Sequence, residues 1–320
     1  MFALDAPEGV EATGRYISWR AVEDAVEYEV LVDGTVQATT EELFYMLPDQ
    51  NKDSKVTIQA LAEGGKKRSK PSAEVKVYQN SQFLEEEILN IEMVPGEVQY
   101  IPASVRCVYV TGIASDARIM IQDRQEDLVV RMRDTVIVAP EGQSCITSET
   151  VLSCAVYLSV EGNVKLSVAP VTTVPATPAD NSGQTGKTGT SGGDAVCLNN
   201  LILCGDGELT LQGGDGGRGG KGSTAKGILT TATSQNGGNG GAGGNGIRCT
   251  KLILAMNRMD QRVHVSGGVG GAGGAHGDIT VSISGAVTGV MGVLKDGQKG
   301  ADGTGVSNNF LYNYRGVLEK

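Results

Sequence analysis

Side chains able to do chemistry are sparse in this chain, and none falls at a recognised catalytic spacing. The two histidines, His264 and His276, stand apart, and the six cysteines (Cys107, Cys145, Cys154, Cys197, Cys204 and Cys249) contain no C-x-x-C pair. A zinc site is therefore not expected. Several cysteines lie in alternating apolar runs such as Val105-Arg106-Cys107-Val108-Tyr109. They read as buried free thiols, because a free cysteine behaves as a small hydrophobe. A Cys145–Cys154 bridge has no support in the pattern. Asp116, Asp123, Glu126, Asp127 and Asp134 crowd one stretch. No pair among them has a spacing that fixes two carboxylates across a substrate, so they read as solvated turn and strand-face charges. No G-x-S-x-G, Walker or H-E-x-x-H motif occurs. The glycine runs lack the strand–turn–helix setting of a dinucleotide site. No catalytic, cofactor-binding or metal-binding residue is expected, and the chain reads as non-enzymatic.

Recognition of a surface is the remaining chemistry, and it favours aromatic, Arg and adaptable polar side chains. The candidates are Lys226, Thr230, Thr231 and Gln235 in one loop, and Met256, Asn257, Arg258 and Met259 at a turn. Tyr312 and Tyr314 belong to the aromatic cluster Phe310–Arg315, which also reads as a closing strand.

Length, charge and periodicity describe what must position these residues. The chain has 320 residues, 40% of them hydrophobic, and a net charge of −10. That is room for two or three domains with cores. The acidic balance argues against a duplex-binding protein, which needs a basic footprint, and gives no support for an anionic lipid surface. No apolar run of 18 residues is present, so no spanning helix is expected. The N-terminus shows no secretory signal pattern.

Residues 1–79 alternate with a period of two, as in Tyr16–Trp19, Tyr28–Val32 and Val56–Ala60, and Asp33-Gly34 is a hairpin signal. Pro7, Val10, Ile17-x-Trp19, Tyr28-x-Val30-x-Val32-Asp33-Gly34, Val56-x-Ile58-x-Ala60 and Ser69-x-Pro71-Ser72 resemble a fibronectin type III domain over residues 5–79. Ser54 stands where that family usually has Tyr. The resemblance implies a β-sandwich spacer or docking module, with Trp19 as a core anchor. Residues 81–170 alternate again, with turn clusters between seven strand candidates. They predict a second β-sandwich of jelly-roll type, preceded by a short helix at Phe83–Leu89. Val171–Pro178, with two prolines, reads as an extended linker within 171–182.

Of 46 glycines, 36 lie between Gly183 and Gly305, and they recur every third residue. The runs begin at Gly183, Gly213, Gly237, Gly267 and Gly297, and the middle three carry glycine in a second register as well. A period of three predicts polyproline II-like rods that pair with one another through their backbones. A flexible linker and a collagen helix are the weaker alternatives. The expectation is a mainly β chain whose residues 183–320 form a polyglycine II helix bundle interleaved with short strands. This glycine pattern resembles the polyglycine-sandwich adhesins at the tips of long tail fibres of T-even-like bacteriophages. That resemblance implies a virion protein, assembled in the host cytoplasm, that attaches to the bacterial surface. In the family the contacts lie in loops joining the rods, equivalent here to Ser223–Asn236, Asn257–Gln261 and Gly285–Gly289. It further implies other virion proteins as partners of the N-terminal domain, and a surface glycan or protein as partner of the glycine-rich domain. Homotrimers are common among such fibres. A capsid decoration or head fibre without a receptor, and a bacterial cell-surface adhesin, share the same parts. Nucleic acid and membrane insertion are not expected.

Overall fold

The computed structural model describes residues 4–63, 67–180, 182–228, 235–256, 262–282 and 295–313. The first unit is two antiparallel sheets. One orders Glu11–Thr13, Tyr16–Ser18 and Phe44–Met46, and the other orders Thr35–Thr40, Glu27–Val32, Ser54–Leu61 and Val75–Val77. Alternation puts Ile17, Trp19, Tyr28, Val30, Val56, Ile58 and Ala60 between them. Trp19 packs its ring 5.5 Å from that of Tyr28. Asp33 and Gly34 both take positive φ, of 49° and 80°, as the tight hairpin requires. Ser69 and Ser72 finish the edge of the longest strand. Their Oγ atoms accept the N–H groups of Ala60 and Ile58, each at 2.9 Å.

From Ile88 onward every strand pairing is parallel, which overturns the expected jelly-roll sandwich. The chain winds as a coil, and nearly every turn lays one strand on each of three ladders. The first ladder stacks Ile88–Glu92, Cys107–Thr111, Leu128–Arg133, Val156–Glu161 and Asn200–Gly205. The second stacks Ile113–Ser115, Val136–Ala139, Asn163–Val168, Glu208–Gln212 and Val263–Ser266. The third stacks Val98–Ile101, Arg118–Ile121, Ile146–Ser148 and Val196–Cys197. The long strand Ile247–Leu254 rounds a corner. Its first half extends the third ladder, its second half extends the first, and Val306–Asn313 repeats it one turn later. The first and third ladders thus form one sheet folded into a nearly closed parallel barrel. The second ladder lines the remaining side.

Parallel stacking puts like residues above like. Ile91, Val110, Met132 and Val160 form one inward column, and all are buried in a core that also takes Ile119, Ile137, Leu166, Leu209 and Leu211. The predicted helix at Phe83–Leu89 is a single 3₁₀ turn, Glu85–Glu87, running straight into the first coil strand. Among the described residues no helix is long and apolar enough to cross a membrane.

The first ladder is apolar on its outer face too. Cys107, Val129, Tyr157, Ile202 and Ile253 stack in register, and Tyr16 and Met46 of the N-terminal unit cover them. Runs such as Leu201-Ile202-Leu203 carry this in the sequence, since strands buried on both faces lose their alternation. The seam is also polar at its rim. The backbone N–H of Arg15 donates to Tyr157 Oη at 2.6 Å, and Lys251 Nζ donates to Thr13 Oγ1 at 2.9 Å. Arg106 reaches Asp53 at 3.3 Å and Glu87 at 3.7 Å.

Candidate binding surface

Between the second and third ladders the chain leaves the coil and comes back. In the third turn this crossing is short, residues 140–145. In the fourth it runs out along 169–178 and returns along 183–193. The fifth turn goes out along 213–223 and back along 236–246, and the sixth out along 267–277 and back along 295–305. The two proline residues therefore belong to an outbound segment of the coil. Val171 N–H donates to Asp215 O at 3.0 Å.

These segments are extended, and their backbones bond sideways at every third residue. Gly213, Gly216 and Gly219 donate to Ser266, Val269 and Ala272 on the next outbound segment at 2.8–3.0 Å. Gly214, Gly217 and Gly220 donate to Gly193, Thr190 and Lys187 on the preceding return segment at 2.8–2.9 Å. Return segments bond alike, with Gly186, Gly189 and Gly192 donating to Asn236, Asn239 and Ala242. The result is two facing layers, one outbound and one return. The glycines are required by closeness. A Cβ on Gly241 would stand 2.0 Å from Thr190 O, and one on Gly271 2.0 Å from Gly217 O. This arrangement corrects the expected polyglycine II helix bundle. No such bundle stands as a unit of its own among the described residues, and the glycine segments are crossings of the same parallel coil.

Asparagine and aspartate side chains add further bonds between neighbouring segments. Oδ1 of Asn236, Asn239 and Asn245 accepts the N–H of Lys295, Gln298 and Thr304 at 2.8–3.0 Å. Asp194 does the same for Asn245 at 2.7 Å, and Asp215 for Val269 at 2.7 Å. Sequence reasoning passed over these residues, although Asn236, Asn239 and Asn245 share one register of the threefold repeat.

At the far end of the outbound segments, Ala225–Ile228 and Ile279–Ser282 pair in parallel, with Lys226 beside Thr280. The outbound segments 213–223 and 267–277 lie between this pair and the second ladder. Ser223 precedes it and accepts the Gln235 N–H at 3.1 Å, while Gln235 O accepts from Gly277 at 2.9 Å. So Lys226 and Gln235 are brought to the same end. Met256 is buried in the coil core at 5% exposure, which removes it as a surface contact. Tyr312 lies in the last coil strand, opposite Ile253, away from that end. Thr230, Thr231, Asn257, Arg258, Met259 and Tyr314, and the loops Asn257–Gln261 and Gly285–Gly289, lie outside the described residues.

The acidic stretch is not a single cluster. Asp127 is buried, accepts the Ala155 N–H at 2.9 Å, and has its carboxyl pushed up to about 6 by burial. Asp123 accepts from Thr150 and Asp134 from Asn163 in separate exposed turns. Burial likewise pushes the thiols of Cys145, Cys154 and Cys249 up to about 12, and all six cysteines are free. His264 is exposed on the outer face of its strand.

No protein-family model and no curated protein matches the chain. Among solved structures, the similar chains cover about a quarter of this one. The crystal structure of FN3tt shares 23% identity, covering 25% of this chain and all of that one, with a TM-score of 0.21. The fibronectin(III)-like modules of Clostridium thermocellum CbhA share 24% identity over 26% of this chain and all of theirs, with a TM-score of 0.19. The N-terminal unit is similar to fibronectin III-like modules.

Proposed function

We propose that this chain is a non-enzymatic structural and adhesion protein of a bacteriophage particle. It attaches to a bacterial surface glycan or protein through the far ends of its glycine segments, and meets other virion proteins through its N-terminal unit. The observation that supports this reading is the pairing of Ala225–Ile228 with Ile279–Ser282 at the far end of the bonded segments. Backbone bonds at every third residue tie together the described segments that lead to that end. A surface held rigid before contact loses less conformational freedom on binding, which suits a tip that must grip while the particle is pulled. Lys226 and Gln235 are the contacts this reading proposes at that end.

The test is binding of the labelled full chain to intact cells across a panel of bacterial strains. Saturable binding to at least one strain is expected, competed by unlabelled chain and weakened about tenfold by K226A/Q235A, roughly 1.4 kcal/mol. Failure to bind any strain saturably would remove the adhesive half of the proposal and leave a purely structural particle protein.

A further inference from the structure

Among the described residues the last glycine segment is 295–305, and its residue types set it apart from the others. On the return segment 183–193, a Cβ added at Gly186, Gly189 or Gly192 would lie 1.9–2.1 Å from a carbonyl oxygen of the outbound segment one turn on. On 236–246, Gly237, Gly240 and Gly243 stand in the same relation to 267–277, at 1.8–2.1 Å. These are backbone contacts, so no rotamer relieves them. The bonding register carries the equivalence one step further. Gly186 donates to Asn236, and Gly237 donates to Lys295, so the counterparts of Gly237, Gly240 and Gly243 on the last return segment are Asp296, Lys299 and Asp302. The position that must be bare for another segment to dock is occupied by a side chain at all three.

Those side chains also finish the edge they stand on. Asp296 Oδ1 accepts the His276 N–H at 2.9 Å, and Asp302 Oδ1 accepts the Gly270 N–H at 2.8 Å. Lys299 Nζ lies 2.6 Å from Asp302 Oδ1. All three point to one role. The layers are built by a rule that any further chain with bare Gly-x-x segments could satisfy, including the segments of a second copy. An unpaired backbone edge of this kind is a template for association, and charged side chains blunt it.

We infer that Asp296, Lys299 and Asp302 form a built-in stop that keeps glycine segments of a second copy from adding to the layer at its last return segment. The block is the presence of side-chain carbon at three glycine-requiring positions, with the charge secondary.

Two variants of the full chain test this by light scattering over a range of concentrations. D296G/K299G/D302G should self-associate, with mass at least doubling where the parent does not change. D296A/K299A/D302A removes charge and caps but keeps each Cβ, and should keep the parent's mass. Equal association of the alanine variant would make charge the block and overturn the inference. So would a folded glycine variant that stays at the parent's mass. A glycine variant that loses its β-sheet circular dichroism would show these side chains holding the segment in place, which is a different role and also overturns it.

Discussion

At the scale of single residues, Gly14 and Tyr157 meet at the seam between the units. Gly14 has φ +55°, and a Cβ there would stand 2.1 Å from Tyr157 Oη and 2.7 Å from Ile202 Cδ1. Gly14→Ala should cost on the order of 3 kcal/mol through both clash and backbone strain, seen as a lower urea midpoint. Tyr157→Phe should cost about 1–2 kcal/mol, because the part-buried Arg15 N–H then loses its acceptor. Asp127 gives a pH signature. Its folded value of about 6 is above the ordinary 3.8, so the fold holds the proton more tightly than the open chain does. Its contribution is fully favourable below 3.8 and is lost as pH rises through about 6, to a limit of roughly 3 kcal/mol. Asp127→Asn keeps an oxygen for the Ala155 N–H and removes the charge. It should flatten the fall in urea midpoint between about pH 4 and 7 and raise stability at about pH 7.5. An unchanged slope would show that Asp127 is not its source.

At the scale of elements, the glycine segments depend on bare backbone at defined positions and tolerate change elsewhere. Gly241→Ala places carbon 2.0 Å from Thr190 O and 2.4 Å from its carbonyl carbon. The expected result is loss of at least about 3 kcal/mol and faster amide exchange at Gly241 and at Gly271, which donates to Gly241. Ala242→Gly, one residue along, should leave exchange unchanged. The sequence made the segments visible and hid their setting. A period of three locates them whatever they join, and the second glycine register does separate the three middle segments from those at the edge. The setting of the proline stretch is hidden from the local pattern for a physical reason. Val171 and Pro175 fill space beside Gly217 and Gly220, far along the chain, and no local pattern records that. The second ladder failed in the same way. Alternation in Val136–Ala139 and Asn163–Val168 is equally good for an antiparallel sandwich and for a parallel coil. Only the partner's position in the chain tells them apart.

At the scale of the whole molecule, the N-terminal unit is seated on the coil through an apolar cluster that contains Tyr16, Met46, Tyr157, Ile202 and Ile253. The N-terminal unit is thereby joined to the parallel coil. One calorimetric transition is expected for the whole chain. Met46→Asp, which sets a carboxylate against Ile202 and Ile253, should split it into two, with the N-terminal unit melting first. A single transition retained in the variant would mean the units unfold together for another reason. The core of the N-terminal unit was readable in advance, from Ile17 and Trp19 to Ile58 and Ala60. Its seat was not, because the outward column Cys107, Val129, Tyr157 and Ile202 is collected from four successive turns.

The crossing between the second and third ladders has a consequence for how such a molecule can change. Residues 140–145 make it in one turn, and 267–277 with 295–305 in another, yet the strands on either side keep their register with the turns before them. Length at this one gap is therefore decoupled from the rest of the winding. A hairpin of Gly-x-x repeats can be lengthened or shortened there by whole triplets, moving its tip outward or inward while the spine of the protein stays as it is.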